Sequence, residues 1–441
     1  MKISNILTIF MCAQAAIVPL RAQQSPTNGP HRVVLTADLL NEYAEEARTN
    51  NAALWAARSR VKAAEENARS IPLWRDPELM AGGMAAETAM RMEDGDIIYG
   101  AQQMLPVFGK EKAARAAARA EIPLEEADLE YRFQTLRKSL TVALLKAVLA
   151  DEILVLSQQD LLWLETLTTA VEQRYGVGDA SQVDVLRVQN ERSRRAEQIR
   201  NEENEREAAY ALVNRLLNRN VISAWARMEL PEVFAPVPLT SKLLEMSTRF
   251  EPRLAMLKKQ REQAEAMANR SRKENRPDLS AAVEARQYSR TGEGRSAEVL
   301  LKMTLPWFNQ GKYKAAIRRD EARVEQVNYE IEDYTYELRT EIHHLVSKID
   351  NARREAVLYR DEIIPRSEQA LRSAEASWQA NRDAFRDVLD SRRMLLEART
   401  MYFKAVADQY MSLAELITCC GISDLESLDA IVKGAEPKEE K

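Results

Sequence analysis

The stretch RYGVGDASQVDVLRVQNERSRR, residues 174–195, joins two long charged segments that both have a helical pattern. Gly176 and Gly178 allow the chain to turn sharply, because glycine adopts left-handed backbone conformations at little steric cost. Asp179 or Ser181 can then cap the following helix, since short polar side chains accept hydrogen bonds from the free N–H groups at a helix start. The stretch therefore predicts the closed end of an antiparallel helical hairpin.

The helices on both sides of this turn are predicted to be long. The upstream pattern reaches Tyr175, and Pro123 is expected to kink it because proline lacks an N–H donor and clashes with the preceding turn. At 1.5 Å per residue, the roughly 50 residues beyond Pro123 span about 75 Å. The return helix is expected from Ser181 to Asn218, so the turn is predicted to lie at the far end of a long rod.

The second half of the chain repeats the first. Three motifs recur in the same order, two at an offset of 200 residues and the third at 203: DPEL (76–79) as RPDL (276–279), LPVF (105–108) as LPWF (305–308), and Tyr175 with DVL (184–186) as Trp378 with DVL (387–389). Ordered matches at nearly constant spacing indicate a tandem duplication of one supersecondary unit.

The duplication divides the chain into six predicted segments. They are a signal peptide (1–22), an N-terminal linker (23–35), a first structural repeat (36–218), an inter-repeat connector (219–239), a second structural repeat (240–421) and a C-terminal tail (422–441). Each repeat is expected to contain an opening helix, a strand pair and a long helical hairpin. In the first repeat, the opening helix is expected at 36–70, the strand pair at 78–105 and the tip of the hairpin near 175–181. In the second repeat, the opening helix is expected at 240–273, the strand pair at 279–305 and the tip near 378–383.

The N-terminal residues have the pattern of a secretory signal. Lys2 precedes an apolar run from Ile3 to Val18, and cleavage is expected after Ala22. The run is shorter than the roughly 20 apolar residues that a spanning helix needs. Lipid attachment at Cys12 is disfavoured because the preceding Ile-Phe-Met is a poor lipoprotein box. No later stretch is apolar enough to span a bilayer as a helix, so any membrane-embedded part is expected to consist of strands.

Four segments have the length and pattern of strands: Glu78–Thr88, Ile97–Leu105, Leu279–Tyr288 and Glu298–Leu305. The last alternates most clearly, with Val299, Leu301 and Met303 on one face and Glu298 and Lys302 on the other, which suits a strand between lipid and water. Four strands cannot close a transmembrane barrel, and unpaired edges are not tolerated in lipid. Several copies are therefore expected to pool their strands in a symmetric ring.

The last predicted helix has the period of a coiled coil. Steps of 3.5 residues from Phe385 meet mainly apolar residues as far as Leu416, which is the spacing of a left-handed coiled coil. Arg392 and Arg399 interrupt this seam, and they are expected to mark a hydrated or kinked level of the rod.

The composition argues against several classes of function. With 63 Lys and Arg against 68 Asp and Glu, the net charge is −5, whereas a nucleic-acid-binding protein usually has a concentrated basic face. The chain contains three His and three Cys and no glycine-rich phosphate loop, so no catalytic residue, metal site or cofactor is predicted. The methionines near the first strand pair (Met80, Met84, Met90 and Met92) fit gap filling better than Cu(I) binding.

These patterns resemble the TolC-like family of outer membrane efflux proteins, the outer membrane factors, with a leaning towards the heavy-metal-efflux branch. The resemblance covers nearly the whole mature chain. It rests on five segments in order: NNAALWAARSRVKAAE, QMLPVFGK, RYGVGDASQVDVLRVQNE, LPWFNQGK and AFRDVLDSRRMLLEA.

The resemblance implies a mainly α fold of tandem helical hairpins that form an α-barrel, with four strands per chain entering the twelve-stranded transmembrane β-barrel of a homotrimer. The channel would lie in the outer membrane of a Gram-negative-type bacterium, in contact with its lipid, and extend through the periplasm. There it would dock a periplasmic adaptor (membrane fusion) protein and an inner-membrane efflux pump. It would passively conduct exported solutes, metal cations or drugs, and catalyse no reaction.

The resemblance also implies roles for individual residues at the tip. The tip turns correspond to the end that contacts the adaptor: Tyr175, Gly176, Val177, Gly178 and Asp179 in the first turn, and Trp378, Asn381, Arg382 and Asp383 in the second. The second turn departs from the glycine-rich pattern of the family.

Three acidic residues are candidates for the pore constriction. Asp387 and Asp390 match the residues that narrow the pore mouth in TolC-like channels, and Asp184 is the first-repeat counterpart of Asp387. Three copies of each would form carboxylate rings that hold cations and repel anions. The alternative interpretation is that they are ordinary solvated or capping residues of the return helices.

A soluble secreted coiled-coil adaptor or interaction protein without a barrel is the alternative function. Such a protein would contain helical hairpins, but it has no need for paired strands that recur at an offset of 200 residues. A periplasmic enzyme is less favoured, because the few histidines form no cluster with carboxylates or cysteines.

Overall fold

The computed structural model describes residues 33–84, 95–239, 241–289, 291–380 and 384–422. Several predicted features lie outside these residues: the signal peptide with Cys12, most of the linker, Met90, Met92, the second-turn residues Asn381, Arg382 and Asp383, and the C-terminal tail beyond Ile422.

Both halves of the described chain have the same order of elements: two consecutive helices, a strand pair and a long helical hairpin. The first half contains β1 (Val33–Val34), α1 (Ala37–Asn50), α2 (Ala52–Ser70), β2 (Glu78–Met84), β3 (Asp96–Leu105), α3 (Lys110–Gly176) and α4 (Gln182–Leu216). The second half contains β4 (Met228–Glu229), α5 (Ser241–Phe250), α6 (Pro252–Glu274), β5 (Leu279–Tyr288), β6 (Gly294–Met303), a 3₁₀ helix (Pro306–Asn309), α7 (Gln310–Leu358), a π-helical turn (Tyr359–Ile363), α8 (Ile364–Gln379) and α9 (Phe385–Cys420).

The opening helix of each repeat is divided in two, although the sequence pattern predicts one continuous helix. In the first repeat, Asn51 is extended; its side-chain oxygen accepts a hydrogen bond from Ala53 N–H at 2.9 Å, and its amide donates to the Leu216 carbonyl at 2.8 Å. In the second repeat, Glu251 caps α6 and Pro252 opens it, where the missing N–H of proline costs nothing. These local caps override the periodic pattern.

The four strands lie within or overlap the predicted segments, but several ends differ. β2 begins at Glu78 as predicted and is described as far as Met84; the predicted continuation to Thr88 lies outside the described residues. β5 has the predicted bounds, and β3 begins one residue early, at Asp96. β6 spans Gly294–Met303 instead of Glu298–Leu305, because the chain already pairs with β5 at Gly294, which lies opposite Gln287. Gly292 adopts a φ of 72°, and Tyr288 N–H donates to the Glu293 carbonyl at 3.0 Å, so that pairing with β5 starts directly after the turn.

The four long strands form one antiparallel sheet in the order β2-β3-β5-β6. Leu105 lies opposite Leu279 at the helix-proximal end of the central pair, and Asp96 lies opposite Tyr288 at the other end. One face is apolar and open to solvent in the single chain, with Leu79 85% and Val299 82% exposed. Within the described residues β2 and β6 pair on one side only. The sheet therefore has two open edges and an unpacked apolar face.

The helices of the rod differ between the two repeats. α3 continues for 67 residues and runs through Pro123, which corresponds to about 100 Å at the usual rise. Its counterpart is interrupted, because the π-helical turn separates α7 from α8 directly before Pro365. A widened turn of this kind accommodates a ring that cannot donate a helical hydrogen bond. None of the described helices is long and apolar enough to cross a membrane.

The core consists of apolar stripes along the paired long helices. In the first repeat, α3 residues such as Leu144 and Val148 pack with α4 residues such as Val213. In the second repeat, Ile342 of α7 packs with Leu413 of α9. The two-residue strands β1 and β4 pair with each other and so join the linker to the connector. They lie beside the apolar cluster of α3 and α4. Burial of these stripes holds the hairpins together, since each buried Leu, Ile or Val side chain contributes about 1.5–3 kcal/mol.

Candidate functional site

The candidate site is the tip of the rod, where α3 turns into α4 and α8 turns towards α9. It lies at the opposite end of α3 from the sheet, because β3 leads directly into the start of that helix. A joint apolar cluster holds the two turns together; it includes Leu167 and Val171 of α3, Val188 of α4 and Phe385 and Leu389 of α9.

The first turn is held by backbone hydrogen bonds and a helix cap. Gly178 has a φ of 86°, and its N–H donates to the Tyr175 carbonyl at 3.0 Å. Ser181, rather than Asp179, caps the return helix. It forms a capping box with Asp184, in which the Asp184 N–H donates to the Ser181 hydroxyl at 3.2 Å and the Ser181 N–H donates to the Asp184 carboxylate at 3.4 Å. The Ser181 hydroxyl also donates to this carboxylate, at 2.6 Å. Gly178 thus has the left-handed conformation that the sequence predicts, whereas Gly176 is the last residue of α3 and has no positive φ.

Large apolar side chains are exposed around the first turn. Val177 is 76% exposed, and Tyr175, Val183 and Leu186 are also exposed. Several large exposed apolar side chains around one turn at the end of a rod are typical of a surface that another protein covers.

The end of α8 packs against the end of α3 and the start of α9. Trp378, close to the end of α8, lies 5.3 Å from the Phe385 ring between centroids. The Arg174 guanidinium stacks 4.7 Å above the Trp378 ring, and Arg174 Nη1 donates to the Trp378 carbonyl at 3.0 Å. α9 then begins after Ala384, which provides no side-chain cap. Arg174 therefore joins the two predicted tips, a contact that the sequence analysis did not anticipate.

The three predicted acidic residues have different surroundings. Asp184 is engaged in the capping box and lies 3.5 Å from Arg187, which agrees with the capping interpretation. Asp390 lies between Arg386 at 3.2 Å and Arg393 at 3.4 Å. Asp387, in the first turn of α9, is exposed and forms no ion pair with the described residues.

A buried ion-pair cluster crosses the bundle above the tip. Asp160 of α3 is 2% exposed; it accepts a hydrogen bond from Arg392 Nε of α9 at 2.7 Å. Arg195 Nε of α4 lies 2.9 Å from the same carboxylate but out of line for a hydrogen bond, so this contact is an ion pair. The Arg392 guanidinium also stacks 4.7 Å above Trp163, whose indole N–H donates to Glu375 of α8 at 3.2 Å. The cluster ties all four helices at one level.

A second, more exposed contact joins the hairpins. Arg393 of α9 donates to the Glu191 carboxylate of α4 at 2.6 Å, and this hydrogen bond holds the pKa of Glu191 below its usual range. Arg399, six residues further along α9, pairs with Glu368 of α8 at 2.7 Å. Arg392 and Arg399, which interrupt the apolar seam of α9, therefore both form ion pairs with neighbouring helices. The partner of Arg392, Asp160, is a buried carboxylate.

The sequence contains only partial signals for these contacts. Arg392 is identified as an interruption of the seam, but nothing in the period indicates that Asp160, more than 200 residues away, is its partner. Among the described residues no group of three or more His, Cys, Asp and Glu could hold a metal ion.

Comparison with protein families identifies the chain. A family model described as outer membrane efflux protein matches it twice, at residues 43–219 and 243–421. The two matches follow one another and together cover most of the chain. No curated protein matches the chain significantly.

Solved structures with the same fold share little sequence with the chain. CusC, studied for conformational changes accompanying folding and transmembrane channel formation, is 17% identical with a TM-score of 0.74, covering 94% of this chain and 99% of CusC. The outer membrane channel CmeC of Campylobacter jejuni is 15% identical with a TM-score of 0.73, covering 98% and 97%. The outer membrane protein VceC of Vibrio cholerae is 18% identical with a TM-score of 0.71, covering 87% and 96%.

The predicted fold class is confirmed: the chain is mainly α with a small four-stranded sheet, and the solved structures that share its fold are channels in which an α-barrel and a β-barrel are built by a trimer. Channels of this family are trimers that work with adaptor and inner-membrane pump partners. The chain therefore belongs to the outer membrane efflux protein family, and it is an outer membrane efflux channel component with a periplasmic extension.

Proposed function

We propose that the channel conducts exported solutes passively, from a pump and adaptor through the periplasm and the outer membrane, and that its tip is the selective constriction. The observation that carries this proposal is the charge pattern of the tip. Asp184 and Asp390 each have arginine partners, whereas Asp387 is exposed and forms no ion pair with a described residue. Asp387 is therefore the carboxylate best able to act on a passing ion.

Threefold symmetry would convert this single carboxylate into a ring. The first turn of α9 lies at the tip, so three copies around the axis would surround the pore mouth. A carboxylate ring lowers the energy of a cation and raises that of an anion, as charged rings do in other pores. Asp390 would contribute less, because Arg386 and Arg393 compensate its charge. Asp184 would mainly stabilise the start of α4.

The exposed apolar patch of the first turn is the proposed contact for the adaptor. Four apolar side chains are open to solvent there: Tyr175, Val177, Val183 and Leu186. Burial of such side chains by a partner would contribute favourable free energy to binding. Gly176, Gly178 and Asp179 shape the turn that presents it. The second turn, with Trp378 and the residues Asn381, Arg382 and Asp383 outside the described part of the chain, would complete this contact.

Two classes of cargo are compatible with the proposal. Metal cations fit the acidic ring at the tip and the leaning of the sequence towards the heavy-metal-efflux branch. Drugs are the second hypothesis. A strain that lacks the gene would become sensitive to metal salts in the first case and to organic drugs in the second, so growth on a panel of both distinguishes them.

Asp387→Asn tests the pore assignment. Wild-type and variant trimers are inserted into planar bilayers, and the ratio of cation to anion permeability is measured from reversal potentials in a salt gradient. If the carboxylate contributes about 1 kcal/mol at near-aqueous dielectric, the ratio should fall by roughly fivefold. Asp390→Asn is the matched control and should change the ratio much less. An unchanged ratio in Asp387→Asn would remove the assignment.

The soluble adaptor without a barrel, the alternative function, is disfavoured by the family match and by the open-edged sheet. Membrane fractionation separates the two functions. A trimer in the outer membrane supports the channel, whereas a soluble monomer supports the adaptor.

A further inference from the structure

A groove lies between the two repeats, close to the end of α9. Residues of α1 and α3 line it from the first repeat, and residues of α9 line it from the second. Its apolar lining includes Leu40, Leu145, Ala414 and Ile417. The enclosed volume of about 50 Å³ exceeds the roughly 10–15 Å³ that one water molecule needs, so the groove has room for an apolar side chain. We call it the inter-repeat groove.

The charged side chains of the inter-repeat groove are all basic. Arg137 and Lys138 of α3 are half-buried in its lining, and none of the described residues that line it is an Asp or a Glu. Arg137 Nη2 donates to Asn41 Oδ1 at 2.7 Å, whereas Lys138 forms no ion pair with a described residue. Complementary charges favour the correct partner at a contact, so this groove suits a segment that has carboxylates beside apolar side chains.

The chain leaves α9 directly beside this groove. Gly421 adopts a φ of 62°, and Ile422 N–H donates to the Ile417 carbonyl at 3.0 Å, which ends the helix. Ile422 belongs to an apolar cluster that Tyr410 and Ile417 also contact, and both of these residues line the groove. Residues 423–441, outside the described part of the chain, therefore start next to the groove.

The sequence that follows has the pattern of a short amphipathic helix. In SDLESLDAIVKG, residues 423–434, three apolar residues recur at spacings of three and four, which is one face of a helix: Leu425, Leu428 and Val432. Ser423 and Glu426 have the spacing of a capping box, and Gly434 is suited to the position after a helix. The pattern predicts a helix of about ten residues.

The length and charge of this segment match the inter-repeat groove. A ten-residue helix extends about 15 Å, and the groove residues of α9 from Tyr410 to Thr418 extend about 12 Å. The segment contains three acidic residues against one lysine. In contrast, the linker residues 23–32 contain no acidic residue and no Leu, Ile, Val or Phe. The C-terminal segment is therefore the occupant that the groove fits.

We propose that residues 423–434 form a helix that docks into the inter-repeat groove of their own chain. Leu425 and Leu428 enter the apolar space, and the carboxylates of the segment approach Lys138. The docked helix contacts α1, α3 and α9, and it thereby joins the two repeats. The groove lies about 45 Å along α9 from Asp387, so the proposal is independent of the role of that residue.

Crosslinking of introduced cysteines tests this proposal in the full-length trimer. Leu428→Cys is combined with Thr141→Cys, since Thr141 of α3 lines the groove, and a short bis-maleimide tolerates thiol positions that the strict geometry of a disulfide excludes. The reagent should join the two thiols within one subunit, which gives a shifted monomer band after denaturation. Burial raises the pKa of the Cys419 and Cys420 thiols to about 12, so these native thiols should react little at neutral pH.

Ala430→Cys with Thr141→Cys is the matched control. Position 430 lies on the opposite face of the predicted helix from Leu428 and its apolar neighbours, so this pair should crosslink several-fold less. Equal yields for the two pairs, or no crosslink in either, would overturn the proposal. A crosslink between subunits would overturn it as well, because the segment would then occupy the groove of a neighbouring chain.

A charge exchange tests the contact with Lys138. Lys138→Glu should lower the crosslinking yield of the Leu428→Cys pair several-fold, because carboxylates then face each other. Adding Glu426→Lys and Asp429→Lys should restore the yield, which a merely unfolded variant would not do. A yield that Lys138→Glu leaves unchanged, or that the exchange does not restore, would contradict the docking. Ion selectivity of these variants should stay that of the wild type, which separates this outcome from a failure of the pore assignment.

Discussion

At the scale of single residues, glycines meet two different requirements in this chain. Gly178 has a positive φ with open space around it, so that only the turn geometry requires glycine there. Gly421, after α9, combines a φ of 62° with a close approach, because a Cβ at this position would overlap the carbonyl oxygen of Phe250. The first requirement can be predicted from the neighbouring sequence, whereas the second depends on the packing of α9 against the end of α5.

Gly421→Ala should therefore destabilise the protein by roughly 1–3 kcal/mol, since both the backbone conformation and the overlap are unfavourable for alanine. The measurement is the apparent melting temperature of the trimer, followed by circular dichroism. Gly311→Ala is the matched control: Gly311 lies in the first turn of α7 with nothing within 4 Å of a Cβ, and alanine favours helix there. Equal melting temperatures for the two variants would contradict the prediction.

At the scale of secondary structure elements, Asp160 determines how the four helices of the tip are joined. It lies on α3 and neutralises arginines of α4 and α9, and both arginine side chains are largely buried. Replacing one partner of a buried ion pair leaves uncompensated charge in the core and typically costs about 3–5 kcal/mol. The exposed ion pairs along α4, such as Glu197 with Arg200, are expected to contribute about 1 kcal/mol or less.

Asp160→Asn should lower the apparent melting temperature strongly and increase proteolysis of the tip, because two buried arginines lose their counter-charge. Glu197→Gln removes a carboxylate from the same hairpin without exposing a buried partner, and it should leave both properties close to those of the wild type. Thermal melts and limited trypsin digestion of the two variants check this prediction. Equal changes in melting temperature and trypsin digestion for the two variants would show that the Asp160 cluster does not stabilise the packing of the four helices.

At the scale of the whole molecule, the sheet of the single chain has two open edges. A chain supplies four strands with open edges at β2 and β6, and exposed edges are tolerated in lipid only if neighbouring subunits pair with them. The same sheet has an apolar and a polar face, so that adjacent residues of one strand experience different surroundings. Val299 points to the apolar, exposed face, and Leu300 to the opposite, less exposed one.

Val299→Lys should reduce the amount of trimer in the outer membrane, because a lysine on the lipid face near the middle of a strand costs about 2–4 kcal/mol. Leu300→Lys places the same charge one residue further, on the face towards the lumen, and should be tolerated better. The fraction of trimer in outer membrane preparations, measured by electrophoresis without heating, checks both variants. Equal loss in the two would mean that the faces are assigned wrongly.

The sequence alone determined the duplication, the order of helices and strands, the glycine turn of the first tip and the apolar faces of the strands, because each of these depends on local spacing or backbone conformation. It also indicated a family and thereby the acidic candidates at the tip. Only the tertiary structure decided that Asn51 and Glu251 divide the opening helices, that Arg174 joins the two turns, and that Asp160 is the partner of Arg195 and Arg392. The caps at Asn51 and Glu251 are local, but the apolar period does not reveal them. The contacts of Arg174 and Asp160 connect residues that are distant in the chain, and no periodic pattern encodes which side chains meet when the hairpins pack.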